Sequence, residues 1–179
     1  MLTIPSEWAA LMRSQDQTYV RETLDKAIKR KVTAAILVRR LGADTLRAAT
    51  VRCYPNSLPG ETLRLHHFAA RSGRPETLKY LIEEVGGFPV DERTVGLERM
   101  SLLHLAAIAG DEGLPPDQQE RRLACLRYLI EEQGLSPLLE SDYGERPIDC
   151  VEACESGVAA RQYLLEAARN AENAASGTA

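Results

Sequence analysis

Three histidines and four cysteines are the side chains with which this 179-residue chain could hold a soft metal or run nucleophilic chemistry. Cys150 and Cys154 stand four apart, a spacing that puts both on one helical face, and with a nearby histidine they imitate half of a zinc site. A structural zinc wants four ligands, and no second Cys or His pair lies at motif spacing. No metal is therefore expected. Cys53 and Cys125 complete the set without the spacing or density of a disulfide scaffold, so the thiols read as free in a reducing compartment. The adjacent carboxylates Glu83-Glu84 and Glu131-Glu132 end helical patterns and face water, which suits a solubilising edge better than acid-base work. No Gly-rich phosphate loop, Gly-x-Ser-x-Gly elbow, His-Glu-x-x-His helix or calcium loop occurs. Neither catalytic residues nor a cofactor is expected. The rival reading is an enzyme, or an enzyme's accessory module, with metal-dependent chemistry borrowed from His66 and the cysteines.

Length and composition fit that frame. The chain is long enough for one ordinary domain or one short solenoid with a continuous apolar core. Aromatics make up only 5% against 44% hydrophobic residues, so the core must be mostly aliphatic. No apolar run approaches the ~20 residues that cross a bilayer, and Met1-Leu-Thr-Ile-Pro5 leads into Ser6, Glu7 and Trp8 instead of a signal core. A soluble, cytoplasmic monomer without membrane insertion is expected. The net charge of -4 divides into +5 over residues 1–55 and -9 over the rest. Lys26, Lys29, Arg30 and Lys31 read as the solvated face of a helix, and no nucleic-acid partner is expected; a basic surface there is the place where nucleic acid or anionic lipid would bind.

Two blocks recur in the same order. Lys79-Tyr-Leu-Ile-Glu-Glu84 is echoed by Arg127-Tyr-Leu-Ile-Glu-Glu132 and more weakly by Gln162-Tyr-Leu-Leu-Glu166, the tyrosines standing 48 and then 35 residues apart. Upstream, His67-Phe-Ala-Ala-Arg-Ser-Gly73 and His104-Leu-Ala-Ala-Ile-Ala-Gly110 agree at four of seven positions. The alanine pairs Ala69-Ala70 and Ala106-Ala107 favour helix and let a neighbour approach closely. Gly73 and Gly110 then stop the helix by taking a left-handed cap. After Pro75, which suits a first helical turn, Leu78, Leu81, Ile82 and Val85 fall at amphipathic spacing, as do Leu123, Leu126, Leu129 and Ile130. Each unit is thus a helical hairpin with one apolar flank. It can bury that flank only against another unit.

This pattern resembles the ankyrin repeat family, whose unit of about 33 residues carries a T-P-L-H-x-A signature ahead of two helices. Ser101-Leu-Leu-His-Leu-Ala-Ala-Ile-Ala-Gly110 matches well; in the preceding unit His67 keeps the signature position while His66 replaces leucine and Arg64 replaces threonine. Gly134 to Gly144 looks like an inter-repeat linker and hairpin, followed by Glu145-Arg-Pro-Ile-Asp149, with Asp149 in place of the signature His, as in a degenerate C-terminal cap. The resemblance covers residues 60–168, about three repeats, with an extension near 91–100 and an insertion near 111–122, where Pro115-Pro116 delays the second helix to about Asp117. It implies that His67 and His104 bond to backbone groups of turns. His66 is left to an inter-repeat contact or the surface.

The expected fold is all-α: an ankyrin-type solenoid of stacked helix-turn-helix repeats behind an N-terminal helical cap over residues 1–59, which holds a degenerate repeat or a separate bundle. In that cap Ser6 starts a short helix, Thr18 to Lys31 and Thr33 to Leu41 read as helical, and Asp44 caps another helix reaching Arg52. Residues 169–179 should form a flexible tail, because Asn170 to Ala179 lack apolar bulk. The resemblance further implies a non-enzymatic adaptor, scaffold or inhibitor that lays a partner protein or extended peptide on its hairpin tips and first helices. Mapped by position, those contacts are Arg71, Ser72, Arg93, Glu98, Arg99, Ile108, Asp142, Tyr143 and Glu145, with Tyr143 and Arg99 as the anchors.

Overall fold

A computed structural model describes residues 35, 38–39, 42–48, 50–52, 62–96, 99–108, 116–151 and 157–176. The readings made above for the helices before Ala35, for Cys53, Cys154, Gly110 and Glu98, and for the 111–122 insertion as far as residue 115 lie outside these residues. The described part is mostly helical with little strand. Helix α1, Ala43–Ala48, ends four residues earlier than the helix expected to reach Arg52; Thr50–Arg52 instead forms strand β1, antiparallel to β2, Thr62–Arg64. Thr50 and Val51 are β-branched, and a waiting partner strand outweighs their modest helical tendency.

Two layers of helices follow. Helix α2 (Leu65–Arg71) packs on α4 (Leu102–Ala107), which packs on a single 3₁₀ turn, Pro147–Cys150. In the second layer α3 (Pro75–Lys79) packs on α5 (Pro116–Arg127), and α5 packs on α6 (Val158–Ser176). The alanine pairs explain the closeness of the first layer: Ala69, Ala70, Ala106 and Ala107 are all at most 1% exposed, and with Leu78, Leu102, Leu103, Leu126 and Leu129 they belong to one continuous core. Burial of each such leucine contributes roughly 1.5–3 kcal/mol.

Helix ends obey the sequence. α2 stops as expected at Gly73, whose φ of +60° lets Arg74 N–H bond to Ala69 O at 3.0 Å and Gly73 N–H to Ala70 O at 3.1 Å. Pro116 opens α5, one residue from the expected start, because its missing N–H is an orphan in a first turn anyway. One feature was not foreseen. Both copies of Tyr-Leu-Ile-Glu-Glu leave the α-helical spacing and finish as π-type turns, Tyr80–Val85 and Tyr128–Glu132, with Gly86 N–H bonded to Leu81 O at 3.1 Å and Gln133 N–H to Tyr128 O at 3.0 Å. Gly86 and Gly134, at φ +68° and +70°, then turn the chain out of the layer. Beyond Ala168, where a tail was expected, α6 runs on to Ser176: Ala168, Ala171, Ala174 and Ala175 are strong helix formers, and Arg146 Nη1 pairs with Glu172 at 3.2 Å. No helix among the described residues is long and apolar enough to cross a membrane.

Candidate functional site

A capping device is repeated three times at the start of the first layer. Arg64 N–H donates to His67 Nδ1 at 3.2 Å, Ser101 N–H to His104 Nδ1 at 3.3 Å, and Arg146 N–H to the Asp149 carboxylate at 2.8 Å. Each acceptor stands three residues after its donor, and Asp149 performs with a carboxylate what the histidines do with a ring nitrogen. The imidazoles have a second nitrogen and use it across units. His67 Nε2 lies 3.2 Å from Glu92 O and His104 Nε2 lies 2.9 Å from Glu145 O; with Nδ1 accepting, Nε2 carries the proton and donates. The signature histidines thus clasp successive units through backbone, as the sequence implied. Burial drives both rings below the ordinary imidazole range, opposed by these same carbonyl bonds.

What those clasps hold in place are two hairpin fingers. In the first, Thr94 N–H bonds to Met100 O at 3.0 Å, and the buried Thr94 hydroxyl accepts from Met100 N–H at 2.9 Å. In the second, Ser141 N–H bonds to Glu145 O at 2.8 Å, while the buried Ser141 hydroxyl accepts from Tyr143 N–H and Glu145 N–H, both at 3.3 Å. A buried Thr or Ser therefore pins the root of each finger. Among the described residues, the fingers hold Val95 at 64% exposure and Tyr143 at 74%.

The nine residues mapped as partner contacts divide accordingly. Arg99, Asp142, Tyr143 and Glu145 are exposed on the fingers. Arg93 Nη1 donates to Arg99 O at 3.1 Å and to Glu140 O at 2.6 Å, so the side chain braces one finger against the other. Ile108 is half-buried against the core, and Ser72 and Arg71 are half-buried at the end of α2. Glu98 lies outside the described residues. Val95, exposed beside Thr94, was not among the residues mapped.

Behind the fingers, the second layer is laced by its own repeat. Lys79 Nζ sits 5.4 Å over the Tyr128 ring and Arg127 Cζ 5.8 Å over the Tyr163 ring. Tyr163 Oη donates to Glu131 at 2.9 Å, Tyr128 Oη faces Glu83 without reaching bonding geometry, and burial with these carboxylates pushes both phenols up. Lys79 Nζ also meets Glu132 at 2.6 Å. The acidic edges, read as solubilising, are thus also ties between units.

Cys125 is buried, with its thiol pushed up to about 12 by burial, and Cys150 is half-buried. His66 is fully buried, away from solvent. An open cleft of about 470 Å³ between Arg74–Thr77 and Glu120–Ala124 mixes two arginines with two glutamates, and Arg121 is already paired with Asp117. No family model matches the chain, and comparison with curated proteins and with solved structures returns no match.

Proposed function

We propose that this chain is an ankyrin-like repeat module that acts without catalysis, holding another protein or an extended peptide against its two fingers. One observation carries the reading. Val95 and Tyr143 are large apolar side chains held out in water at the tips of successive, rigidly rooted hairpins, where desolvating them against a partner is favourable. Arg99, Asp142 and Glu145 flank them with charge of both signs, which selects partners more than it adds affinity. Rigid roots at Thr94 and Ser141, and the Arg93 brace, reduce the ordering cost of association. The in-register clasps of His67, His104 and Asp149 support the ankyrin-like assignment.

The test is capture of partners from the native cell with the wild-type chain and with Tyr143→Ala combined with Arg99→Ala. Loss of the captured protein by a variant with unchanged circular dichroism is the expected result. Undiminished capture would remove the fingers from the account.

A further inference from the structure

His66 is the one signature-position residue whose presence the repeat does not account for. Its ring is 0% exposed, and neither Nδ1 nor Nε2 makes a well-formed hydrogen bond, although Nε2 stands 3.2 Å from the Glu92 carboxylate. Next to it His67, and one unit on His104, have both nitrogens engaged. A leucine would fill the same space without a polar atom to desolvate, so a fully buried imidazole set against a carboxylate calls for something that uses both.

The surroundings supply the rest of a ligand set. The His67 ring stacks on His66 with centroids 4.1 Å apart, and Glu92 Oε2 lies 3.2 Å from His66 Nε2. One ligand atom from each of His66, His67 and Glu92 lies within 4.8 Å of the other two, and no second such group exists among the described residues. We propose that His66, His67 and Glu92 form a buried binding site for a divalent transition metal of the zinc class. Two imidazoles with one carboxylate suit zinc, whereas calcium and magnesium favour oxygen donors. Phe88, 5.2 Å from His66, walls the site with an apolar ring.

Arg64 prepares the carboxylate. Its Nη1 contacts Glu92 Oε1 at 2.7 Å and Oε2 at 2.6 Å, so a metal that takes Oε2 leaves Oε1 on the guanidinium, which orients the ligand. A metal taken by His67 displaces the backbone bond at the nitrogen that ligates it, to Arg64 N–H at Nδ1 or to Glu92 O at Nε2, both 3.2 Å long. The bound ion would fasten the start of α2 to the segment that enters the first finger. This site stands independently of what the fingers bind.

The experiment uses the full chain stripped with a chelator and titrated with zinc chloride alone, by calorimetry and thermal melting, then with cobalt(II) by absorption. Expected are one zinc per chain, a melting temperature that rises with zinc, and cobalt bands without a thiolate charge-transfer band. His66→Leu should fold, with circular dichroism unchanged, and weaken zinc binding by about 100-fold or more; Glu92→Gln should do the same should the leucine variant fail to fold. A chain that takes up no zinc, uptake that survives His66→Leu or Glu92→Gln, or a thiolate band placing the ion on cysteine would each overturn the site.

Discussion

The Tyr163 hydroxyl donates to Glu131 at 2.9 Å while Arg127 lies over the same ring. One unit earlier Tyr128 stands between Glu83 and Lys79 in the same way. The echoed sequence therefore laces its copies together: Tyr128 and Tyr163 each lie under the preceding copy's cation and face its first glutamate, and Tyr163 bonds to it.

Tyr163→Phe keeps the ring under Arg127 and removes only the hydroxyl. Because Glu131 is exposed, the expected loss is at the low end for a hydrogen bond, about 0.5 kcal/mol, read from urea unfolding. Tyr163→Ala, which also loses the ring contact and its packing, should cost several times more.

His104→Ala should destabilise far more than its size suggests. It abandons the buried Ser101 N–H and the Glu145 carbonyl together, at about 1–3 kcal/mol for each group left unsatisfied. Urea midpoints compared with Ser101→Ala, expected to lose about 1 kcal/mol as an N-cap substitution, check the ranking.

The same histidine makes stability depend on pH. Burial lowers its folded pKa below the unfolded value of 6.5, so the unfolded chain binds the proton first. Its contribution is complete above the unfolded pKa and is lost as pH falls from there toward the lower folded one. The stability difference between wild type and His104→Asn, measured by urea titration, should shrink on acidification by up to about 1.4 kcal/mol per pH unit. A difference that widens would have the wrong sign.

Gly73→Ala should cost about 1–2 kcal/mol, because φ of +60° strains any L residue and the new Cβ would stand 3.0 Å from Arg122 Cγ. Gly134→Ala, at φ +70° with nothing within 4 Å, should show the backbone strain alone, about 1 kcal/mol by thermal melting.

Much of this was legible because it is local. The alanine pairs, Gly73, Pro116 and the histidines three residues behind their caps all act within one turn, so their spacing carries their role. What was not legible depends on partners distant in sequence. Thr50–Arg52 is extended because Thr62–Arg64 lies beside it. The bracing bond of Arg93 depends on Glu140, 47 residues later. His66 gave no hint of Glu92, 26 residues on, for the same reason.

The finger face is tested most directly by photo-crosslinking from position 143. With a photoreactive phenylalanine in place of Tyr143, expressed in the native cell, irradiation should join the chain to another polypeptide, while the same label at the exposed Val158 on α6 should not. Adducts from position 158 with none from position 143 would contradict the account.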